Sequence, residues 1–339
     1  MQTEQIGSKM PTDKYIETQS AKKIIAGLDI NKLVKKAQES YTKTEKGLSS
    51  QLSTGKSIVR PTEDKDFVCW TAGEHWEKLT HLRGIPFGRI IEISGRPDSG
   101  KSTHAAAFMK FAQDQDVLVI LWDAEKKFSA QRFDKKIGGC SDNLLIVDTN
   151  NTLNGANAVA HFVNAAKEQN PAAKILIVWD SVGAGVNSTE DIEGEETYSK
   201  QPGVSAKENA YAIRKFNKLA NKYINRETGE ETIATLVINQ NYQNIGSSGY
   251  TEKGGGEIYY LSSVIIQLSR KQDLTHVRGG ERYKYGIVSR AKVKKNHLFD
   301  GDECIAEMDL VVSAAGIQLA KDVKNNKDIL GWDDKEGDE

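Results

Sequence analysis

Residues 92–103 read EISGRPDSGKST. The stretch places two glycines, a proline and a lysine directly behind an apolar run, RIIEIS at 89–94. A turn alone would not need the lysine, and a helix start alone would not need the second glycine. Gly95, Gly100, Lys101 and Ser102 together fit the spacing G-x-x-x-x-G-K-[ST]. That spacing has a physical cause. The loop wraps so that successive backbone N–H groups point inward at phosphate oxygens, and a side chain at either glycine would obstruct the approach. The helix predicted to open at Lys101 aims the positive end of its dipole at the same anion. The expected phosphate cradle is therefore Gly95, Arg96, Pro97, Asp98, Ser99, Gly100, Lys101, Ser102 and Thr103. In it Lys101 is a mobile cation for the outer phosphates, the Ser102 hydroxyl is a Mg²⁺ ligand, and Thr103 donates to an inner phosphate. The expected cofactors are ATP and Mg²⁺.

Such a loop needs a second acid for the metal. ILIVWD, 175–180, supplies one: a buried run ending in Asp180, at the carboxyl end of a strand, where open α/β sheets place their ligands. Hydrolysis also needs a group that orients water against the terminal phosphate. VLVILWDAE, 117–125, ends another strand with Asp123 and Glu125, and the residues themselves leave open which of the two is the base.

Outward from these motifs, apolar runs alternate with helix-like stretches. The runs are 89–94, 117–123, LLIVD at 144–148, ILIVWDS at 175–181 and TLVINQ at 235–240. They are continuous rather than alternating, as in strands buried on both faces. Helical patterns over THAAAFMKFAQDQ, NGANAVAHFVNAAKEQ and 204–225 lie between them, the last with a capping box at Ser205 and Glu208. This order predicts an α/β fold: a mostly parallel central sheet flanked by helices on both sides. After residue 257 the pattern is more β, with YYLSSVIIQLSR, YKYGIVSRAKV, CIAEMDLVV and GIQLA spaced for hairpins, so antiparallel strands are expected at one end. Two polar stretches, 187–204 and 241–256, interrupt the pattern, and loops of that length in a compact domain are functional or disordered.

Length and composition set the outer bounds. A chain of 339 residues suggests about two domains. Hydrophobic residues make up 38% and charged residues 27%, as in soluble globular proteins, and the net charge of −1 allows a nucleic-acid surface only as a local basic patch. Three scattered cysteines, Cys69, Cys140 and Cys304, show neither a disulfide framework nor zinc spacing, which favours a reducing, cytoplasmic setting. No secretory h-region is apparent, and no apolar run approaches the ~18 residues of a membrane helix. Three divisions are expected. Residues 1–60 form a polar leader, then an amphipathic helix near 28–44 and a short strand at 57–60; residues 61–325 form the core; residues 326–339 form an acidic tail. An amphipathic helix this short is marginal alone, so it docks either on its own core or on another subunit.

GIPFGRIIEISGRPDSGKST, ILWDAE, ILIVWDS and LVINQ, in this order, closely resemble the RecA-type recombinases, including the phage UvsX branch. The resemblance extends over about residues 57–320, and IEGE at 192–195 and the glycines 254–256 continue it. It implies a RecA-like ATPase core with a small N-terminal polymerisation element. Glu125 matches the family's catalytic glutamate, Asp180 its magnesium acid, and Gln240 the glutamine that senses the γ-phosphate and relays it to DNA. The polar interruptions fall where the family keeps its two DNA-binding loops. In the second, Ile245 and Gly246, Lys253, Gly254, Gly255 and Gly256 are the expected DNA contacts. The first, with its acidic EDIEGEE, offers Lys200 and Lys207. In SRAKVKKNH, strand alternation puts Arg290, Lys292 and Lys294 on one face. Lys295 matches the first of two lysines that reach the neighbouring protomer's ATP, and His297 stands at the second.

Two positions depart from the family pattern. The adenine-stacking tyrosine is replaced by Arg132, followed by Phe133, and the chain stops soon after 332, where bacterial RecA has a further domain. The acidic tail is expected to restrain capture of duplex DNA, as such tails do in the family. The resemblance implies an ATPase that forms helical filaments on single-stranded DNA, pairs it with homologous double-stranded DNA in recombination and repair, and works with single-strand-binding and mediator proteins. It would act in the cytoplasm, or in a host cell's if phage-encoded. The alternatives are a ring helicase or other motor on the same core, and a nucleotide-regulated DNA-binding protein without catalysis.

Overall fold

In a computed structural model, the structure describes residues 63–69, 75–131, 133, 143–186, 204–225, 228–243, 250–252, 255–299, 307–313, 316–320 and 323. The chain divides into two units, Met1–Val59 and Arg60–Glu339, and every described residue belongs to the second. The helix and strand expected within 1–60 and the acidic tail 326–339 lie outside the described residues.

After a 3-10 turn at Asp64–Asp66, the elements run β1 (Phe67–Cys69), α1 (His75–Thr80), β2 (Gly84–Pro86), β3 (Ile90–Gly95), α2 (Lys101–Asp114), β4 (Leu118–Asp123), β5 (Leu144–Val147), α3 (Thr152–Gln169), β6 (Ile175–Val182), α4 (Val204–Lys222), β7 (Ile233–Gln243), β8 (Tyr250–Glu252), α5 (Gly256–Leu261), β9 (Val264–Arg278), β10 (Glu281–Asn296), β11 (Glu307–Ser313) and β12 (Gly316–Leu319). The main sheet has the order β12-β11-β10-β9-β3-β7-β6-β4-β5, with β8 paired to β7 off that path. From β9 to β5 every neighbouring pair is parallel, and β10, β11 and β12 extend the sheet antiparallel. The expected mixed sheet is therefore the one observed.

The five continuous apolar runs all form parallel strands: β3, β4, β6 and β7 are covered on both faces, whereas β5 lies at the sheet edge with Ile146 exposed. Ile91 and Ile93 of β3 face a cluster with Phe108 and Ala112 of α2 and Trp76 of α1. On the other face Ile177 and Trp179 of β6 pack with Val159 of α3 and Ile213 and Phe216 of α4. In this second core Trp122 and Trp179, paired in register on β4 and β6, stack with ring centroids 4.6 Å apart, and Phe216 meets both edge-on. Such aromatic contacts add about 1 kcal/mol each to simple burial. Asn151 caps α3 by accepting from the Asn154 N–H at 2.9 Å, a bond worth about 1 kcal/mol. The buried Lys167 closes the far end of α3: its ammonium donates to the Pro171 and Ala173 carbonyls and to the Thr232 hydroxyl.

Four local expectations change. Helix α4 begins at Val204, so Ser205 lies one residue inside it and is not the N-cap. Strand β7 runs on to Gln243, and Tyr250–Glu252 pairs back onto it, so part of the second polar stretch is strand. Tyr259, Tyr260 and Leu261 finish helix α5 rather than opening a strand, and β9 starts at Val264. The short β1–β2 ladder, Phe67↔Pro86 to Cys69↔Gly84, was invisible to pattern reading because three residues carry no usable period.

Candidate nucleotide site

Strand β3 delivers the chain at Gly95, at the carboxyl end of the sheet, and α2 leaves from Gly100. The loop between them requires its glycines. Gly100 has φ +95° and Gly95 φ +156°, and a Cβ on Gly95 would sit 2.3 Å from the Leu268 carbonyl oxygen. The loop is braced from the antiparallel side of the sheet. Ser289 on β10 donates to the Ser99 carbonyl at 2.8 Å, and the Ser99 hydroxyl donates to the Arg96 carbonyl at 2.8 Å. Arg96, Pro97 and Asp98 are exposed, Asp98 with φ +58°. Lys101 is buried, and its ammonium donates to the Arg96 carbonyl at 2.6 Å. Burial pulls its pKa below the ordinary lysine value, opposed by Asp180, Glu125 and Asp98.

A cleft of about 490 Å³ opens beside this loop, within the range of small-ligand sites. The cradle residues Pro97–Thr103 line it together with Asp123, Glu125, Lys127, Asp180 and Gln240, and an apolar wall holds Met109, Leu121 and Phe128. Asp180 follows the buried apolar run 175–179 of β6, and the strand continues past it to Val182. Burial pushes its carboxyl up to about 6, while the Ser102 hydroxyl bonded to it acts in the opposite direction. The Ser102–Asp180 pair is a hard, all-oxygen donor set beside a phosphate cradle and fits Mg²⁺.

Asp123 and Glu125 have separate surroundings. Asp123 caps its own turn, accepting from the Phe128 N–H at 2.7 Å. Glu125, in the turn after β4, instead gathers donors from the ends of β6 and β7 and from its own turn. Its Oε1 accepts from the Ser181 hydroxyl and from the Gln240 amide, and its Oε2 pairs with the Lys127 ammonium. The Gln240 amide also lies 3.1 Å from the Ser181 hydroxyl. Partial burial pushes the Glu125 carboxyl up, but the bonds from Lys127, Ser181 and Gln240 outweigh it and hold the group below its ordinary value. Ser181 and Lys127 were not singled out from the sequence. A serine after a strand-end acid and a lysine in a charged turn carry no local signal, and both acquire meaning only from Glu125.

Phe133 lines the apolar wall of the same cleft, buried against Phe128 with ring centroids 5.8 Å apart, and Arg132 lies outside the described residues. The remaining expected residues are dispersed. Lys295 is not in the cleft: its ammonium donates to the Tyr259 and Tyr260 carbonyls at 2.8 and 3.3 Å. His297 is exposed and is held by its backbone N–H on the Ser263 carbonyl. Arg290 and Lys292 share a face as expected, where Arg290 pairs with Asp309 and Glu307 on β11. A register shift between Val293 and Lys295 breaks the alternation beyond them.

Lys200, Ile245, Gly246, Lys253 and Gly254 lie outside the described residues. Lys207 is exposed on α4, Gly255 precedes α5 with φ +79°, and Gly256 begins that helix. The flanks of the two interruptions meet. A Cβ on Gly255 would stand 3.2 Å from the Ala206 methyl of α4, and Arg214 of α4 makes a two-pronged pair with Glu257 of α5 at 2.7 and 2.8 Å.

Among the described residues no helix is long and apolar enough to cross a membrane. The family model for the RecA N-terminal domain matches residues 64–317. Protein RecA of Rippkaea orientalis is 30% identical over 254 residues, 73% of this chain and 66% of that protein. Protein RecA of Synechocystis is 31% identical over 231 residues, 67% of this chain and 59% of its own length. Protein RecA of Aquifex pyrophilus is 28% identical over 314 residues, 89% of this chain and 84% of that protein. The chain thus spans somewhat less than two thirds of the first two relatives. The matched segment takes in the phosphate loop, the three strand ends around Glu125 and the antiparallel extension that braces the loop, and by that match this chain belongs to the RecA family.

Proposed function

We propose that this protein is an ATP-dependent DNA recombinase: a DNA-stimulated ATPase that assembles into filaments on single-stranded DNA and promotes pairing and exchange with homologous double-stranded DNA. The observation that carries the reading is the direct bond between Glu125 and Gln240, with β7 continuing past Gln240 into the second polar stretch. The group expected to activate water thus touches the group expected to report on the phosphate.

In this reading the backbone N–H groups of the cradle and Lys101 bind the phosphates. Ser102 and Asp180 would hold Mg²⁺, which when bound would neutralise phosphate charge. Water attacks the γ-phosphorus, Glu125 accepts the water's proton, and ADP and inorganic phosphate leave. Gln240 donates to the γ-phosphate while it is present and returns to Glu125 after hydrolysis, so ATP and ADP favour different arrangements of the second loop. An amide suits that exchange because its donor serves either oxygen without a change of charge. Differential affinity for DNA in the two states, not chemistry on DNA, is the coupling.

Lys207 and the glycines 255–256, with the loop residues 200, 245, 246, 253 and 254, would meet the strand, mainly at its phosphates. Lys295, half-buried near the end of β10, and the exposed His297 just beyond it would reach a neighbouring protomer.

Two assays test the reading. ATP turnover is expected to rise on adding single-stranded DNA, and electron microscopy with ATP and DNA is expected to show open helical filaments. No turnover with or without DNA, or closed rings, would contradict it.

A further inference from the structure

Lys127 is the second ammonium in the cleft. Among the described lining residues Asp98, Asp123, Glu125 and Asp180 are acids, and only Lys101 and Lys127 oppose them. An incoming nucleoside triphosphate is itself strongly anionic, so the position of each cation matters. Lys101 is buried and belongs to the cradle. Lys127 has a different character. Its side chain is 72% exposed, and it reaches back two residues to pair with Glu125, whose side chain is only 13% exposed. Glu125, Lys127 and Gln240 also line an adjoining open hollow with Asn150, Gly183 and Ala184. The three side chains therefore form a shared wall at the outer end of the phosphate cleft.

A base that activates water against the γ-phosphorus must lie beside that phosphate, so a cation bonded to the base lies beside it too. The Lys127–Glu125 pair has one end in water and is easily exchanged. A terminal phosphate carries more charge than a carboxylate and competes well for an ammonium. A carboxylate held by an ammonium, a hydroxyl and an amide is a weak proton acceptor, because each donor favours its bare anionic form.

We propose that Lys127 is a catalytic residue of the nucleotide site that exchanges partners: it holds Glu125 when the cleft lacks a terminal phosphate and moves onto that phosphate when ATP binds, freeing the glutamate. The proposal rests on the nucleotide-site reading of the cleft. ADP offers no terminal phosphate there and leaves the pair closed. Lys127 would thereby discriminate ATP from ADP and tie release of the base to the correct substrate.

The test uses the full-length Lys127→Met and Lys127→Arg variants. ATP and ADP affinities are read by displacement of a fluorescent nucleotide, and kcat and KM are measured with single-stranded DNA. In Lys127→Met the preference for ATP over ADP is expected to narrow about tenfold, with a fall in kcat. Lys127→Arg is expected to restore most of both. A merely structural lysine would not move the ATP-to-ADP ratio. An unchanged ratio overturns the proposal even if kcat falls, and so does an unchanged kcat. A Lys101→Ala control separates this result from the site itself. If that variant, folded by circular dichroism, binds ATP as tightly as the parent chain, the site assignment is wrong, whatever Lys127 does.

Discussion

Gln240 and Glu125 lie 115 positions apart in the chain and meet through an amide–carboxylate hydrogen bond. Their strands, β7 and β4, are not neighbours: β6 runs between them and contributes Ser181, whose hydroxyl touches both side chains. The ends of β6 and β7 thus converge on a carboxylate carried by the turn that follows β4. Ser181 and Gln240 are held by the sheet, so the sheet sets where Glu125 finds its donors.

The first expectation concerns that carboxylate. Glu125→Gln keeps the shape of the site and removes the proton acceptor. ATP binding should persist while turnover falls by about 100-fold or more. Ser181→Ala, which removes a bond to Glu125 without removing the base, should lower turnover less, by about tenfold. Filter binding and a phosphate-release assay separate the two effects. Continued hydrolysis by Glu125→Gln would refute its role.

Gln240→Ala should leave ATP bound but separate it from DNA. In the parent protein ATP is expected to tighten single-stranded DNA binding by about tenfold or more, the usual size of such coupling. In the variant the affinity should be the same with ATP, with ADP or with neither. Fluorescence anisotropy of a labelled oligonucleotide reads this directly. A variant that still responds to ATP would place the relay elsewhere.

The second core has a tight point. A Cβ on Gly155 of α3 would lie 2.1 Å from the Trp122 ring, which is fully buried against Trp179. Gly155→Ala should cost about 1–3 kcal/mol through overpacking and lower Tm, with a changed near-ultraviolet signal from the tryptophans. Nucleotide binding should be retained in the folded variant, because Trp122 and Asp123 point to opposite faces of β4. An unchanged Tm would mean that α3 shifts at no cost.

Two buried histidines predict an acid limb in stability. His75 and His104 are both pushed down from 6.5 to about 4, chiefly by burial, and for His75 also by the nearby His104. Between about 6.5 and 4 the unfolded chain therefore binds more protons than the folded one. Stability falls as the pH drops through that window and levels off below about 4. Each histidine accounts for about 2 kcal/mol by pH 5. Urea midpoints at pH 7.5 and 5 should differ less in His75→Gln than in the parent chain. Equal differences would remove His75 from the account.

How much of this was legible beforehand follows from locality. The phosphate loop, the acid that closes the apolar run of β6 and the parallel core could be read directly, because each is written in a short stretch: glycines at fixed offsets, or an apolar run closed by a carboxylate. The choice of Glu125 over Asp123 came from the family resemblance. The structure adds that Asp123 is occupied by the Phe128 N–H while Glu125 faces Ser181 and Gln240.

The amino-acid sequence by itself determined where the five parallel strands of the core lie, and which loop suits a phosphate, because apolar runs and backbone reach are properties of consecutive residues. Only the tertiary structure decided which residues stand together. Ser289 braces Ser99 across 190 positions, Leu268 closes the space beside Gly95, and Ser181 and Lys127 complete the surroundings of Glu125. Those contacts depend on strand order, which sets β7 between β3 and β6 and places β9 on the other side of β3, with β10 beyond it. Strand order follows from how whole layers pack, and no short stretch of chain encodes it.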